Sequence, residues 1–199
     1  MKNILIQFAH PALHKSRINL ELITGLNNIE GITLRNLYEE YPDYHINVKF
    51  EQELLQKHDI LVWHHPFYWY SAPSLLKEWM DLVLEHNFAY GKKGTALKGK
   101  KVLTVITTGG SKQAYSKEGY NHCQIHDLLL PFRKTAELCK MEYLPPFVIH
   151  GTHLLKAFEI KELAQMYESI LISLRDDFFL PNQLGKVNYL NDLLTSNKI

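Results

Sequence analysis

The sequence of 199 residues lacks several features that define large classes of proteins. It contains only two cysteines, Cys123 and Cys139, which lie far apart and form no CxxC pair. We therefore expect reduced thiols rather than a disulfide framework or a cysteine-based metal site. The formal net charge is +1, without the clustered basic excess that is typical of nucleic-acid-binding proteins, so we expect no nucleic-acid partner.

Long apolar runs, internal repeats and linkers rich in Gly, Ser or Pro are also missing from the sequence. The N-terminal segment MKNILIQFAHP has one apolar stretch, which is too short to cross a membrane. No small-residue cleavage site follows this stretch, as a signal peptide would require. Hydrophobic residues make up 46% of the chain and charged residues 22%, a globular composition, so we expect residues 1–199 to form a single cytoplasmic domain.

Apolar strands alternate with amphipathic helices along the chain. The residue patterns predict strands over residues 3–9, 32–37, 60–63, 101–107 and 147–150. They predict helices over residues 17–26, 48–57, 127–139 and 159–174, and a further helix that begins at Pro73. The side chains expected on the buried stripe of that further helix are Leu75, Leu76, Trp79, Leu82 and Val83.

Five strands that alternate with helices predict an α/β fold, a parallel, doubly wound sheet with helices on both faces. The tail, residues 175–199, contains Pro181 and Gly185, and we expect it to be loose or to pack against a partner chain. In doubly wound sheets, ligands bind beyond the carboxyl ends of the strands. That rule makes three loops of the chain candidate parts of a binding site.

The first of these loops is AHPALHKSRIN, which follows the first predicted strand. Neither nucleotide-binding motif, GxGxxG or GxxxxGK[ST], occurs in the chain. A polar loop that leads into a helix capped by Ser16 nevertheless predicts an anion site, because free N–H groups and the helix dipole point towards it. His10, Ser16, Arg17 and Asn19 can add side-chain donors. The alternative, that Ser16 only caps its helix and His10 only ends its strand, stays open.

The second loop, HHPFYWYSAP, carries four consecutive aromatic residues, and the third, TTGGSKQAYS, carries two consecutive glycines. The aromatic rings of a tight turn cannot all face the core, so part of the row should line the crevice, where it suits a flat apolar ligand. The glycines let the backbone approach a ligand closely. Either loop alone is also compatible with ordinary core packing or an ordinary turn. An anion site, an aromatic wall and a glycine turn at one sheet edge together predict a flavin nucleotide.

The histidines of the chain suggest one alternative to a flavin-binding protein, namely a metalloenzyme. His122 and His126 have i, i+4 spacing, which would place both on one face of a helix. A third ligand at a suitable spacing is not evident in the sequence, so we expect no metal site.

Several longer motifs occur in order along residues 1–150: AHP, LYEEYPDYHINVKFEQE, HPFYWYSAPSLLKEWMD, FAYGKKGTALKGK, ITTGGS and YLPPF. Through them the chain resembles the flavodoxin-like NAD(P)H:quinone oxidoreductase family. The resemblance is closest to its short bacterial members, general stress protein 14 and the ancillary flavoprotein subunits of glutathione-regulated potassium efflux systems. It implies a five-stranded parallel sheet of order 2-1-3-4-5. It also implies FMN as the cofactor, with FAD as the alternative, and NAD(P)H as the co-substrate.

The resemblance also implies roles for individual residues. Residues expected to hold the flavin phosphate and ribityl chain are His10, Ser16, Arg17, Ile18 and Asn19. Residues expected to contact the flavin rings are Pro66, Phe67, Tyr68, Trp69 and Tyr70. Residues expected at the pyrimidine edge are Thr107, Thr108, Gly109, Gly110 and Ser111. Tyr115 is expected to lie over the flavin and to hydrogen-bond the substrate, while Asn121 stands where longer relatives have a partner histidine.

Two functions follow from this resemblance. The first is two-electron, ping-pong hydride transfer from NAD(P)H through the flavin to a quinone, carried out by a homodimer with sites shared between its chains. The alternative is a regulatory ancillary subunit that binds a potassium efflux protein at the inner face of the membrane, with the reductase activity secondary.

Overall fold

The structure is a computed structural model that describes residues 1–179 and 181–195. Its six strands form one parallel sheet of order β2-β1-β3-β4, in which β5 and β6 both lie beside β4. The strands are β1 (Ile4–Phe8), β2 (Ile32–Asn36), β3 (Ile60–Pro66), β4 (Lys101–Thr107), β5 (Glu142–Tyr143) and β6 (Phe147–Ile149). The predicted doubly wound, flavodoxin-like sheet is thereby confirmed.

The fifth position of the sheet is divided between two short strands, where the sequence predicts one. β5 pairs with the first two residues of β4, and β6 pairs with its last three. The residues between them include Pro145 and Pro146, which lack the N–H group that a continuous strand would need.

The helices of the described residues surround this sheet. They are α1 (Arg17–Ile23), α2 (Leu37–Glu40), α3 (Val48–Lys57), α4 (Ser74–Val83), α5 (Ile125–Leu128), α6 (Leu130–Leu138), α7 (Ala157–Arg175), α8 (Pro181–Leu184) and α9 (Asn191–Thr195). None of the helices within residues 1–179 and 181–195 is long and apolar enough to span a membrane.

Two predicted helices are wrong in their extent. The first was expected to reach residue 26, but α1 ends at Ile23 because Gly25 adopts a left-handed φ of 82°. The helix predicted over residues 127–139 is two helices that meet at Leu129. Pro131 explains this break, because proline is tolerated in the first turn of a helix and disrupts its interior.

Apolar side chains fill both faces of the sheet. Along β3, Leu61 and Trp63 join the cluster beneath α4, while Ile60 and Val62 join the opposite cluster beneath α7. The buried stripe of α4 differs from the prediction at one position. Leu82 is 39% exposed, and Met80 is buried in its place together with the other four predicted residues.

One buried carboxylate, Glu51 of α3, is used within the fold. It accepts hydrogen bonds from Gln7 Nε2 (2.6 Å), Tyr41 OH (2.7 Å), Trp79 Nε1 (2.9 Å) and Arg35 Nη2 (3.0 Å). These four donors come from β1, β2, α4 and the residue that follows α2. A buried carboxylate with this many partners joins α3 to its neighbours.

The described part of the tail packs against its own chain, so the expectation of a loose tail is wrong. Leu190 is buried, and its N–H group donates to Pro146 O (3.0 Å). The side-chain amide of Asn191 accepts from Val148 N (2.9 Å) and donates to Val148 O (3.1 Å). The tail therefore lies along the outer edge of β6. Residues 180 and 196–199 of the predicted tail lie outside the described residues.

Candidate functional site

A cleft opens where β1, β3 and β4 end, at the carboxyl edge of the sheet. Ten of the residues expected to bind a cofactor line it: His10, Ser16, Arg17, Ile18, Asn19, Pro66, Phe67, Tyr68, Thr107 and Gly109. Three further lining residues, Lys15, Thr152 and His153, were not predicted. The last two lie in the loop after β6, which no sequence motif marked.

The loop after β1 forms the polar end of the cleft. Ser16 caps α1, because its Oγ accepts from the Asn19 N–H group (3.3 Å) and from Asn19 Nδ2 (2.9 Å). Asn19 Nδ2 also lies 3.0 Å from Thr107 Oγ1, so it joins the start of α1 to the end of β4. The first N–H groups of a helix have no partner within the helix and can bind an anion. Lys15 and Arg17 add positive charge, and no carboxylate lines the cleft.

His10 lies at the junction between the polar end and the aromatic end of the cleft. Its Nδ1 accepts from the Ala12 N–H group (3.1 Å), so the proton of the neutral ring is on Nε2. Nε2 lies 3.5 Å from Tyr68 OH. Burial lowers the pKa of His10, which favours this neutral form at neutral pH.

The aromatic row after β3 is divided by a tight turn. The Ser71 N–H group donates to Tyr68 O (2.9 Å), and the two residues between them, Trp69 and Tyr70, have left-handed φ angles of 51° and 60°. Such a conformation is costly for residues other than glycine and is concentrated at functional sites. The turn leaves Phe67 and Tyr68 at the cleft, whereas Trp69 is 93% exposed. Tyr70 does not line the cleft either.

The glycine turn after β4 is packed closely against two side chains. A Cβ atom on Gly109 would lie 3.0 Å from His153 Nε2, and one on Gly110 would lie 3.0 Å from Tyr115 Cε2. A Cβ atom at either position would therefore have to displace the facing ring by a few tenths of an ångström, and neither glycine has a left-handed φ. Thr108 Oγ1 donates to Gly110 O (2.8 Å) within the turn. Of the turn residues expected at a flavin, Thr108, Gly110 and Ser111 do not line the cleft itself.

Tyr115 lies just outside the cleft, beside its aromatic end. Its ring centroid is 6.2 Å from that of Phe67 and 5.7 Å from that of His150, and burial raises its pKa. The residue in the position of the relatives' histidine, Asn121, accepts instead from Tyr70 OH (3.0 Å). His150 is thus the histidine beside Tyr115. Burial lowers the pKa of His150 to about 4, so its ring is neutral at pH 7.

The two histidines with helical spacing are not on one helix. His122 precedes α5 and has a left-handed φ of 51°, whereas His126 lies within α5. Among the residues that the structure describes, no group of three or more His, Cys, Asp or Glu side chains could hold a metal ion. Both cysteines are free thiols.

Comparison with known families and proteins agrees with the fold described above. A family model for the flavodoxin-like fold matches residues 2–171. General stress protein 14 of Bacillus subtilis is 41% identical over 162 residues, which cover 81% of this chain and 93% of that protein. The glutathione-regulated potassium-efflux system ancillary protein KefG of Yersinia enterocolitica is 41% identical over 170 residues, which cover 85% of this chain and 92% of that protein.

Two solved structures are similar in fold and in sequence. The first is general stress protein 14 from Treponema denticola in complex with FMN, which is 35% identical with a TM-score of 0.81. Its match covers 86% of this chain and 99% of that chain. The second is an NADPH-quinone reductase from P. pentosaceus, which is 33% identical with a TM-score of 0.77. Its match covers 84% of this chain and 96% of that chain.

Proposed function

Because the chain belongs to the flavodoxin-like fold family that matches residues 2–171, we propose that it is an FMN-dependent NAD(P)H:quinone oxidoreductase. The shape and charge of the cleft carry this proposal. Its polar end has Lys15, Arg17 and the start of α1, its other end has Phe67, Tyr68 and the glycine turn, and no lining residue is acidic. A phosphate at the first end and flat rings at the second fit these groups.

The residues present can hold FMN in the following way. The N–H groups of the first turn of α1, with Lys15 and Arg17, hold the phosphate. Phe67 and Tyr68 form a wall against the rings. The glycine turn, in which Gly109 lines the cleft, would provide backbone donors for the pyrimidine edge, where preorganised donors stabilise negative charge. FAD, whose phosphate would carry a further nucleotide, is the alternative.

When bound, the flavin supplies the hydride acceptor and donor chemistry that links NAD(P)H to a quinone. The chain orients the reactants. Tyr115 is the proposed catalytic residue, because its hydroxyl can donate to a quinone carbonyl. The neutral His150 ring beside it restricts the position of the Tyr115 ring. Solvent can supply the proton that completes the hydroquinone, so no side chain needs to be an obligate acid.

The first prediction tests the cofactor. The purified protein is expected to be yellow, to release equimolar FMN on denaturation and to oxidise NADPH or NADH over many turnovers when a quinone is added. Chromatography of the released chromophore distinguishes FMN from FAD. A colourless protein that takes up neither flavin on reconstitution would contradict the proposed function.

A second candidate function rests on the similarity to KefG, which is described as an ancillary protein of a potassium-efflux system. In this proposal the chain binds a potassium efflux protein at the cytoplasmic face of the membrane, and its reductase activity is secondary. A gene for such a channel beside the gene for this chain would favour it.

The second prediction concerns oligomeric state. The aromatic turn exposes Tyr68, Trp69 and Tyr70 directly before α4, and exposed apolar clusters of this kind usually mark an interface. We propose a homodimer in which the two turns meet and complete each site. Light scattering should give about twice the chain mass of 23.2 kDa, and Trp69→Glu should give the monomer. A parent protein that is monomeric and still reduces quinones would exclude a shared site.

A further inference from the structure

The tail reaches the substrate side of the proposed active site. The family match ends at residue 171, so residues 181–195 are an addition to the matched domain. Their position is fixed by the buried Leu190 side chain and by the two hydrogen bonds between Asn191 and Val148. Val148 is only two residues before His150. The tail is thus held next to the histidine that packs on Tyr115.

Tyr189 is the tail residue that meets the loop after β4. Its ring centroid is 5.0 Å from that of His126 and 6.5 Å from that of His150. Lys112 Nζ lies over the Tyr189 ring, 5.5 Å from its centroid. A cation in this position is attracted to the face of the ring. The contact therefore brings a fixed aromatic surface and a positive charge together.

A cavity of about 330 Å³ lies between this loop and the tail. Tyr115 and Tyr189 are part of its lining, with Lys112 and the polar side chains of Gln124 and His126, and none of its eight lining residues is acidic. Because the ring of Tyr115 also packs near Phe67 of the flavin cleft, the cavity adjoins that cleft. Two phenol rings, one ammonium group and amide donors suit a planar ring system that carries a negatively charged oxygen.

We propose that this cavity is a subsite for anionic hydroxyquinones, with Tyr189 as its outer wall and Lys112 as the group that recognises the charge. This inference rests on the proposed function and specifies its substrate class. The reaction is balanced by NAD(P)H and solvent. NAD(P)H loses a hydride and becomes NAD(P)⁺, one proton comes from water, and the two quinone carbonyls become the two hydroxyls of a hydroquinone.

Two naphthoquinones of similar size provide the test. Menadione is neutral, whereas lawsone is an anion at neutral pH because its hydroxyl is conjugated with a carbonyl. The variants are Lys112→Met, Tyr189→Ala and Tyr189→Phe, with Lys117→Met as the control for loss of an exposed lysine from the same loop. Intrinsic differences in quinone reactivity cancel when the lawsone-to-menadione ratio of kcat/KM is compared between variants.

Lys112→Met should lower that ratio about threefold to fivefold, the size of an exposed ion-pair effect, while Lys117→Met leaves it unchanged. Tyr189→Ala should raise KM for both quinones about twofold to tenfold, and Tyr189→Phe should retain the parent KM because the ring is kept. The FMN content of all variants should equal that of the parent. An unchanged ratio in Lys112→Met, or an unchanged KM in Tyr189→Ala, would overturn the subsite.

Equilibrium dialysis of lawsone separates this inference from the proposed function. If the parent reduces neither quinone, the proposed function fails. Binding of lawsone to the parent, weakened by Lys112→Met, then still supports the subsite, whereas equal binding to both proteins overturns it.

Discussion

Gly109→Val is expected to give a folded protein that is purified largely without flavin. A Cβ atom at this position would already lie 3.0 Å from His153 Nε2, and the two valine methyl groups would add bulk at the wall of the cleft. The new side chain, or the His153 ring that it displaces, would occupy space that FMN needs, so FMN should bind roughly tenfold to a hundredfold more weakly, a loss of about 1.4–2.7 kcal/mol of binding free energy. Fluorescence titration of the flavin-free protein with FMN measures the change.

A graded series identifies what the new side chain displaces. Gly109→Ala should bind FMN with an affinity between those of the parent and Gly109→Val. Adding His153→Ala to Gly109→Ala should restore affinity if the displaced His153 ring is the obstacle. Thermal unfolding of the flavin-free proteins should be similar throughout the series. Equal FMN affinity in the parent and Gly109→Val would mean that the glycine turn does not contact the flavin.

Acidification is expected to destabilise the protein well above the pH at which carboxylates titrate. Burial lowers the pKa of His64 to about 3 and the pKa of His65 to about 4. In the unfolded chain a histidine has a pKa of about 6.5, so below that pH the unfolded state binds more protons than the folded state. The stabilisation is therefore complete above pH 6.5 and is lost as the pH falls towards the folded values.

Each of these two histidines reduces the free energy of unfolding by up to about 1.4 kcal/mol per pH unit in this range. Together they should remove about 4 kcal/mol between pH 7 and pH 5, a large part of the roughly 5–15 kcal/mol that stabilises a typical domain. Denaturant unfolding at the two pH values measures this loss.

Single variants show how much each histidine contributes to the loss of stability between pH 7 and pH 5. His64→Phe and His65→Phe keep a ring against Phe8 and Phe132, respectively, and remove the titrating group. Each should reduce the loss between pH 7 and pH 5 by about 2 kcal/mol. His45→Phe, which replaces an exposed histidine, is the matched control and should leave it unchanged. A loss that persists in both buried-histidine variants would place its origin elsewhere in the chain.

Local pattern and turn chemistry account for most of the fold. The bounds of α3 and β4 coincide with the predicted ones. The observed bounds differ from the predicted ones where a proline interrupts the apolar pattern, as at Pro131 and in the segment between β5 and β6. Leu82 differs for another reason. The neighbours of α4 decide which part of a wide apolar stripe is buried, and they select Met80.

The candidate site could be predicted only in part. The loops after β1, β3 and β4 carry unusual residues at the carboxyl ends of parallel strands, where ligands bind, so the sequence predicts them as parts of the site. The same rule applied to the fifth predicted strand would have found Thr152 and His153, although their loop has no motif of its own. The direction of Trp69 away from the cleft follows from backbone angles that are rare outside glycine. No sequence pattern around Tyr189 predicts that it lies beside the site, because its position depends on how the tail packs.

The Asn191 amide has a consequence for the behaviour of the protein in a crowded solution. An edge strand with free N–H and C=O groups is a template on which another chain can add a strand, and β6 lies at one edge of this sheet. Asn191 occupies both backbone groups of Val148 on that edge. At the opposite edge, the side chain of Asn27 accepts from the Leu34 N–H group of β2 (2.9 Å). Two asparagine side chains thus occupy outward-facing backbone groups of Val148 and Leu34, which hinders pairing of the sheet with a neighbouring molecule.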